Sequence, residues 1–101
     1  MKLFLDDERE PSFDDPELKI ARSFDEAVEL VKTYGFPDEV FFDHDLGDGR
    51  NGYHFAMFLV DLDMDTGTMP DTFKFFVHSQ NPIGRKNIEN LMNSYMRERN
   101  W

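Results

Sequence analysis

Apolar positions along this chain fall into two kinds of run. Lys2 to Leu5, Glu39 to Phe42 and Phe73 to Val77 are short, nearly unbroken and rich in aromatic and β-branched residues, so they predict buried strands. Leu18 to Arg22 predicts a second short strand between the first two. Elsewhere apolar residues recur at helical spacing. Ala27, Leu30, Val31 and Tyr34 share one face of a helix that opens at the capping-box sequence Ser23-Phe24-Asp25-Glu26 and stops at Gly35. Phe55, Phe58, Leu59 and Leu62 lie at i, i+3, i+4 and i+7 in a helix from Tyr53 to about Asp63. A last helix runs from about Ile83 to Arg97, with Ile88, Leu91, Met92 and Tyr95 inward.

Strands alternating with helices predict a single α/β domain over residues 1–101 with a mainly parallel four-stranded sheet. Right-handed crossovers give strand order 2-1-3-4. The first and third strands are then neighbours at the switch point, where open parallel sheets bind ligands beyond their carboxyl ends.

Each of three strands runs into a polar block: Asp6-Asp7-Glu8-Arg9-Glu10-Pro11, Asp43-His44-Asp45-Leu46-Gly47 and His78-Ser79-Gln80-Asn81-Pro82-Ile83-Gly84-Arg85. The topology brings these blocks together. Carboxylates on adjacent strand ends, ~5–6 Å apart at an effective dielectric near 20, repel by about 3 kcal/mol. Such crowding calls for a cation, a proton or an arginine. Asp7 and Asp43 are the main candidates to hold a hard divalent cation, Mg2+ or Mn2+. Asp6 comes next, and Asp45 joins directly or through water. Glu8, Glu10 and Asp48 read as solvated loop carboxylates. Arg9 has two equal readings, a salt bridge or a bidentate phosphate contact.

Histidine suits proton transfer near neutral pH. His78 is the stronger candidate, because the strand end aims it at the crevice; strand alternation turns His44 away. Asn81 and Pro82 are ordinary helix-start residues. Beside a metal, the free amides of that helix start also form a phosphate cradle. There Gly84 permits close backbone approach, Arg85 and Lys86 add charge, and Asn87 falls near Ile83 and Gly84.

Composition narrows the chemistry. The chain has no cysteine, which removes disulfides and zinc thiolates. Its net charge of −10 argues against a long duplex or any extended nucleic-acid backbone, yet leaves room for a single nucleotide or an RNA end. No signal-peptide pattern and no run of ~20 apolar residues is present, so the expected location is the cytoplasm, that of the host if the protein is viral, away from membranes.

The three blocks together resemble those of the cyclic-phosphate-processing receiver domains, small receiver-like proteins of bacteria and phages. The resemblance spans nearly the whole chain. It implies a flavodoxin-like, receiver-like three-layer fold, here truncated to four strands, and a role in handling cyclic phosphate ends in RNA repair or conflict systems. By similarity to ordinary receivers, Asp6 and Asp7 match the magnesium-holding acidic pair, Asp43 the phospho-accepting aspartate and Ser79 the hydroxyl after the fourth strand. The receiver lysine on a fifth strand has no counterpart, and the Pro11–Pro16 loop stands where receivers carry their first helix. Phosphorelay signalling is therefore disfavoured. The expected activity is metal-dependent hydrolysis of a cyclic phosphate, with His78, Asp43, His44 and Asp45 catalytic and Arg9, Ser79, Asn81, Gly84, Arg85 and Asn87 binding substrate. The alternative is a non-catalytic module that binds a nucleotide, a phosphate or a protein partner, such as a phage protein acting on a host factor.

Overall fold

The computed structural model describes residues 1–47 and 49–99; Asp48, read above as a loop carboxylate, lies outside them. Four strands, β1 (Lys2–Leu5), β2 (Leu18–Ala21), β3 (Glu39–Phe42) and β4 (Lys74–Val77), form one sheet. All pairings are parallel and the order is β2-β1-β3-β4, as the crossover rule requires. Among the described residues three helices accompany the sheet: α1 (Phe24–Tyr34), α2 (Gly52–Thr66) and α3 (Pro82–Arg99).

Strand residues alternate between two faces. Leu3, Leu5, Val40 and Phe42 point to the face covered by helices, where they meet Ala27, Val31, Phe55, Leu59, Ile88 and Met92 in one fully or nearly fully buried cluster. The helices pack side by side on that face, α1 on α2 and α2 on α3. Opposite them lie Phe4, Phe41, Phe76 and Ile20. What covers this second face is the β1–β2 loop: Phe13 packs on Phe41 with ring centroids 5.3 Å apart, and Lys2 bonds Asp15 at 2.7 Å. The receiver-like layering is thus present with its third layer reduced to a loop.

Helix ends follow local chemistry, with two departures from expectation. The Ser23 hydroxyl caps α1 by accepting from Glu26 N–H, but the Glu26 carboxylate reaches the Arg22 amide, one residue earlier than a capping box predicts. The start of α2 is capped reciprocally: Asn51 accepts from His54 N–H, and His54 Nδ1 accepts from Asn51 N–H. That cap explains why α2 begins at Gly52. At the far end, Gly67 turns left-handed (φ 63°) and its N–H bonds Asp63 O. Buried Asp63 then pins α2 to α3, accepting from Tyr95 Oη, from Arg99 Nε (2.6 Å) and from the Met69 amide (2.8 Å).

Candidate functional site

Register builds the site. On the loop-covered face, Lys2 pairs with Leu18 and Glu39, and Glu39 with Lys74. The next row is Ile20, Phe4, Phe41 and Phe76. The ladder then continues past the strand ends through Asp6 N–H to Ala21 O, Asp43 N–H to Leu5 O and His78 N–H to Phe42 O, at 3.1, 2.9 and 2.9 Å. Asp6, Asp43 and His78 therefore form a third row directly beyond the aromatic one. One ligand atom from each lies within 4.8 Å of the others.

The two aspartates differ sharply. Asp6 is fully buried and committed: Oδ1 accepts from the amides of Glu8 and Arg9, while Oδ2 lies 3.0 Å from His78 Nε2. Burial works to raise its pKa, but the two amides and His78 outweigh it and hold the carboxyl below the ordinary range. Asp43 is nearly as buried, and here burial wins. Its pKa is raised first by desolvation and then by the charge of Asp6; His78, its hydrogen bond from the His44 amide and Arg9 only partly offset this. His78 leans across β3 and stacks face-to-face on Phe4, with centroids 4.9 Å apart and planes 7° apart.

Arg9 ties the first block to the last, donating from Nη1 to His78 O at 3.1 Å, with Nε 3.9 Å from Asp6. Sequence reasoning missed Arg22. It stands beside Asp6 in the continued register and straps the β1–β2 loop, donating to Asp6 O and Arg9 O and pairing with Glu10. Its signal was available: a lone arginine closing the second strand. Alongside the acidic row runs an open groove of about 270 Å³ lined by Asp7, Glu8, Arg9, Asp43, Asp45, Gly47 and Gln80. Asp7 is exposed there, and Gly47 (φ 86°) sits close to its carboxylate. Gln80 was not anticipated as a lining residue.

The last block folds differently from the cradle expected of it. His44 turns away from the acidic row, as strand alternation predicts, toward the start of α3. Its ring lies over Gly84, where an added Cβ would come within 2.3 Å of it. The close approach on the side-chain side of Gly84 is made by His44. His44 Nδ1 also lies 2.9 Å from Asp45 Oδ1. Asn81 Oδ1 caps α3 through the Gly84 amide, and the Asn81 amide bonds the hydroxyl of buried Ser79. Arg85 faces Glu89 along α3 at 3.5 Å, and neither Arg85 nor exposed Asn87 lines the groove. Gly52 is the second close approach: a Cβ there would lie 2.0 Å from the Asp43 carbonyl oxygen, so the first turn of α2 presses on the backbone that carries Asp43.

Sheet order, acidic strand ends and a histidine just past the fourth strand define a small parallel domain of receiver type. A model of the cyclic-phosphate processing receiver domain family matches residues 1–94, and the chain belongs to that family. Among solved structures, a fusion described as yeast Spc42 trimeric coiled coil, amino acids 181–211, resembles 96% of this chain and 78% of its own length. Its TM-score of 0.55 at 16% identity is a likeness of fold. No curated protein matches the chain. Among the described residues no helix is long and apolar enough to cross a membrane.

Proposed function

We propose that this receiver domain hydrolyses a cyclic phosphate at a nucleotide or RNA end with the help of a divalent cation. One observation carries the reading: a buried carboxylate, Asp43, with a raised pKa and no ion pair among the described residues, beside a hydrogen-bonded Asp6–His78 couple. The donor set fits Mg2+ or Mn2+, which take hard oxygen ligands. Asp43 and Asp7, both lining the groove, are the residues that would hold it; Asp6 has spent its oxygens on amides and on His78. Such an ion, when bound, neutralises phosphoryl charge and acidifies a water.

The remaining roles fall to the chain itself. Arg9 orients the phosphate by charge-assisted hydrogen bonds. Asp6 accepts from His78 Nε2–H and so fixes the tautomer, leaving Nδ1 as the atom that exchanges protons. Water attacks phosphorus, and its proton passes to Asp45, which His44 steadies. The ring P–O bond breaks, and the departing ribose oxygen takes the Nδ1 proton of His78 in its doubly protonated form, which leaves the neutral ring with Nε2–H on Asp6. Incubation with 2′,3′-cyclic nucleotides and Mg2+ or Mn2+ tests this. His78→Ala should lower kcat about 100-fold or more, the usual range for removing a proton-transfer group, and Asp43→Asn should lower it by removing a carboxylate that would hold the ion. Equal rates in both variants, or binding without product, would overturn hydrolysis; the latter outcome would mark a binding module.

A further inference from the structure

The helix-free face of the sheet carries a feature that phosphate chemistry does not use. Phe76 stacks on Phe41 with centroids 5.1 Å apart and planes 17° apart, and Phe13 packs on Phe41 from the loop. Phe76 is 48% exposed and Phe13 40%, whereas Phe4 at the centre is only 6% exposed, stacked beneath His78. What stays open is Phe76 and Phe13 on the β4 side, with Ile20, 38% exposed, apart from them across buried Phe4 on the β2 edge. Phe76 and His78 are two residues apart on one strand face, about 6.6 Å at ~3.3 Å per residue. That separation is within the span of a single nucleotide from base to phosphate.

Charge favours the same occupant. Lys74 shares the face and strand with Phe76 and makes no ion pair among the described residues, while Arg9 stands at the other end beside His78. The ring patch is thus flanked by two cations in a chain of net charge −10. A second copy would bring ten more net negative charges against this face. Protein surfaces stack bases on exposed sheet aromatics, with little regard to which base is present.

We infer that the Phe76–Phe41–Phe13 patch stacks the base of the nucleotide whose phosphate occupies the groove at Asp43 and Arg9, beside His78. The inference rests on the phosphate reading above and names its substrate class: a nucleotide or RNA 3′ end with its base in place. Adenosine 3′-phosphate, which carries no phosphodiester to hydrolyse, and inorganic phosphate are the probes. Calorimetry should show the nucleotide binding about tenfold tighter than phosphate. Phe76→Ala and Phe76→Leu should erase that advantage, Phe76→Trp should keep it, and phosphate affinity should not change in any of them. Ring-current shifts in the NMR spectrum should appear at Phe76, Phe41 and Phe13 with the nucleotide only. Equal nucleotide affinity in wild type and Phe76→Ala, with shifts confined to the groove, would overturn the stacking patch and leave the phosphate reading intact. Adenosine-induced shifts at Phe76 with no phosphate-induced shift at Arg9 or His78 would end the phosphate reading instead. Concentration-dependent broadening across this face without ligand would assign it to contact between copies and overturn the inference.

Discussion

Two glycines show how tightly individual positions hold the site. An Ala side chain at Gly84 would meet the root of the His44 ring, and would gain about 1 kcal/mol of helix propensity. Overpacking costs typically ~1–3 kcal/mol, so Gly84→Ala should lose about 1 kcal/mol net. In a His44→Ala background the same change should become neutral or stabilising; urea titration of the four variants gives the coupling. At Gly52 the obstacle is the Asp43 carbonyl, which cannot rotate aside. Gly52→Ala should therefore cost ~3 kcal/mol or more. At this scale the sequence was partly legible. It marked the carboxylates that converge, because strand ends and topology fix their neighbourhood. It could not tell committed Asp6 from exposed Asp7, since that depends on where the amides of Glu8 and Arg9 turn. Nor could it name His44 as the neighbour of Gly84: a glycine announces close approach but not by what.

Elements are joined by a second acidic centre, remote in role from the first. Burial works against ionised Asp63, but Arg99, Tyr95 and the Met69 amide outweigh it and lower its pKa. Tyr95 is pushed up to about 12, by burial and then by its bond to Asp63. The signs follow. Asp63 stabilises the fold fully above its unfolded pKa, and that contribution disappears as pH falls through the lower folded value. Tyr95 stabilises below its ordinary pKa of 10, and its contribution is lost as pH rises through about 12. Thermal melts across pH should show Asp63→Asn flattening the acid limb and Tyr95→Phe the alkaline limb. Asp63→Ala should cost roughly 2 kcal/mol at neutral pH, below the ~3–5 of a fully enclosed pair because Arg99 retains some solvent contact. Periodicity predicted all three helices, because their inward stripes are regular. It placed the ends of α2 too short at both sides, since the His54 cap and the Gly67 turn are made by residues outside the apolar pattern.

Across the whole molecule, sequence order alone was enough for β2-β1-β3-β4, because parallel strands joined through helices admit few right-handed arrangements. The thin third layer was foreshadowed by the Pro11–Pro16 loop, but the aromatic row it only partly covers was not, because side-chain parity across four strands emerges only from register. The energetic strain of the acidic row falls on Asp43, where burial and a neighbouring charge act together. In chelator, Asp43→Asn should raise Tm by ~5 °C, the change worth about 1 kcal/mol in a domain this size. Added Mg2+ should stabilise the wild type and leave the variant unmoved; scanning calorimetry reads both. Since aromatic and acidic rows ride on one parity, a single residue inserted within β3 would turn Asp43 toward the helices and Phe42 toward the loop. Folding and chemistry thus share one checkpoint: a chain that threads its third strand out of phase by one loses both at once, so a misthreaded yet working form has no way to arise.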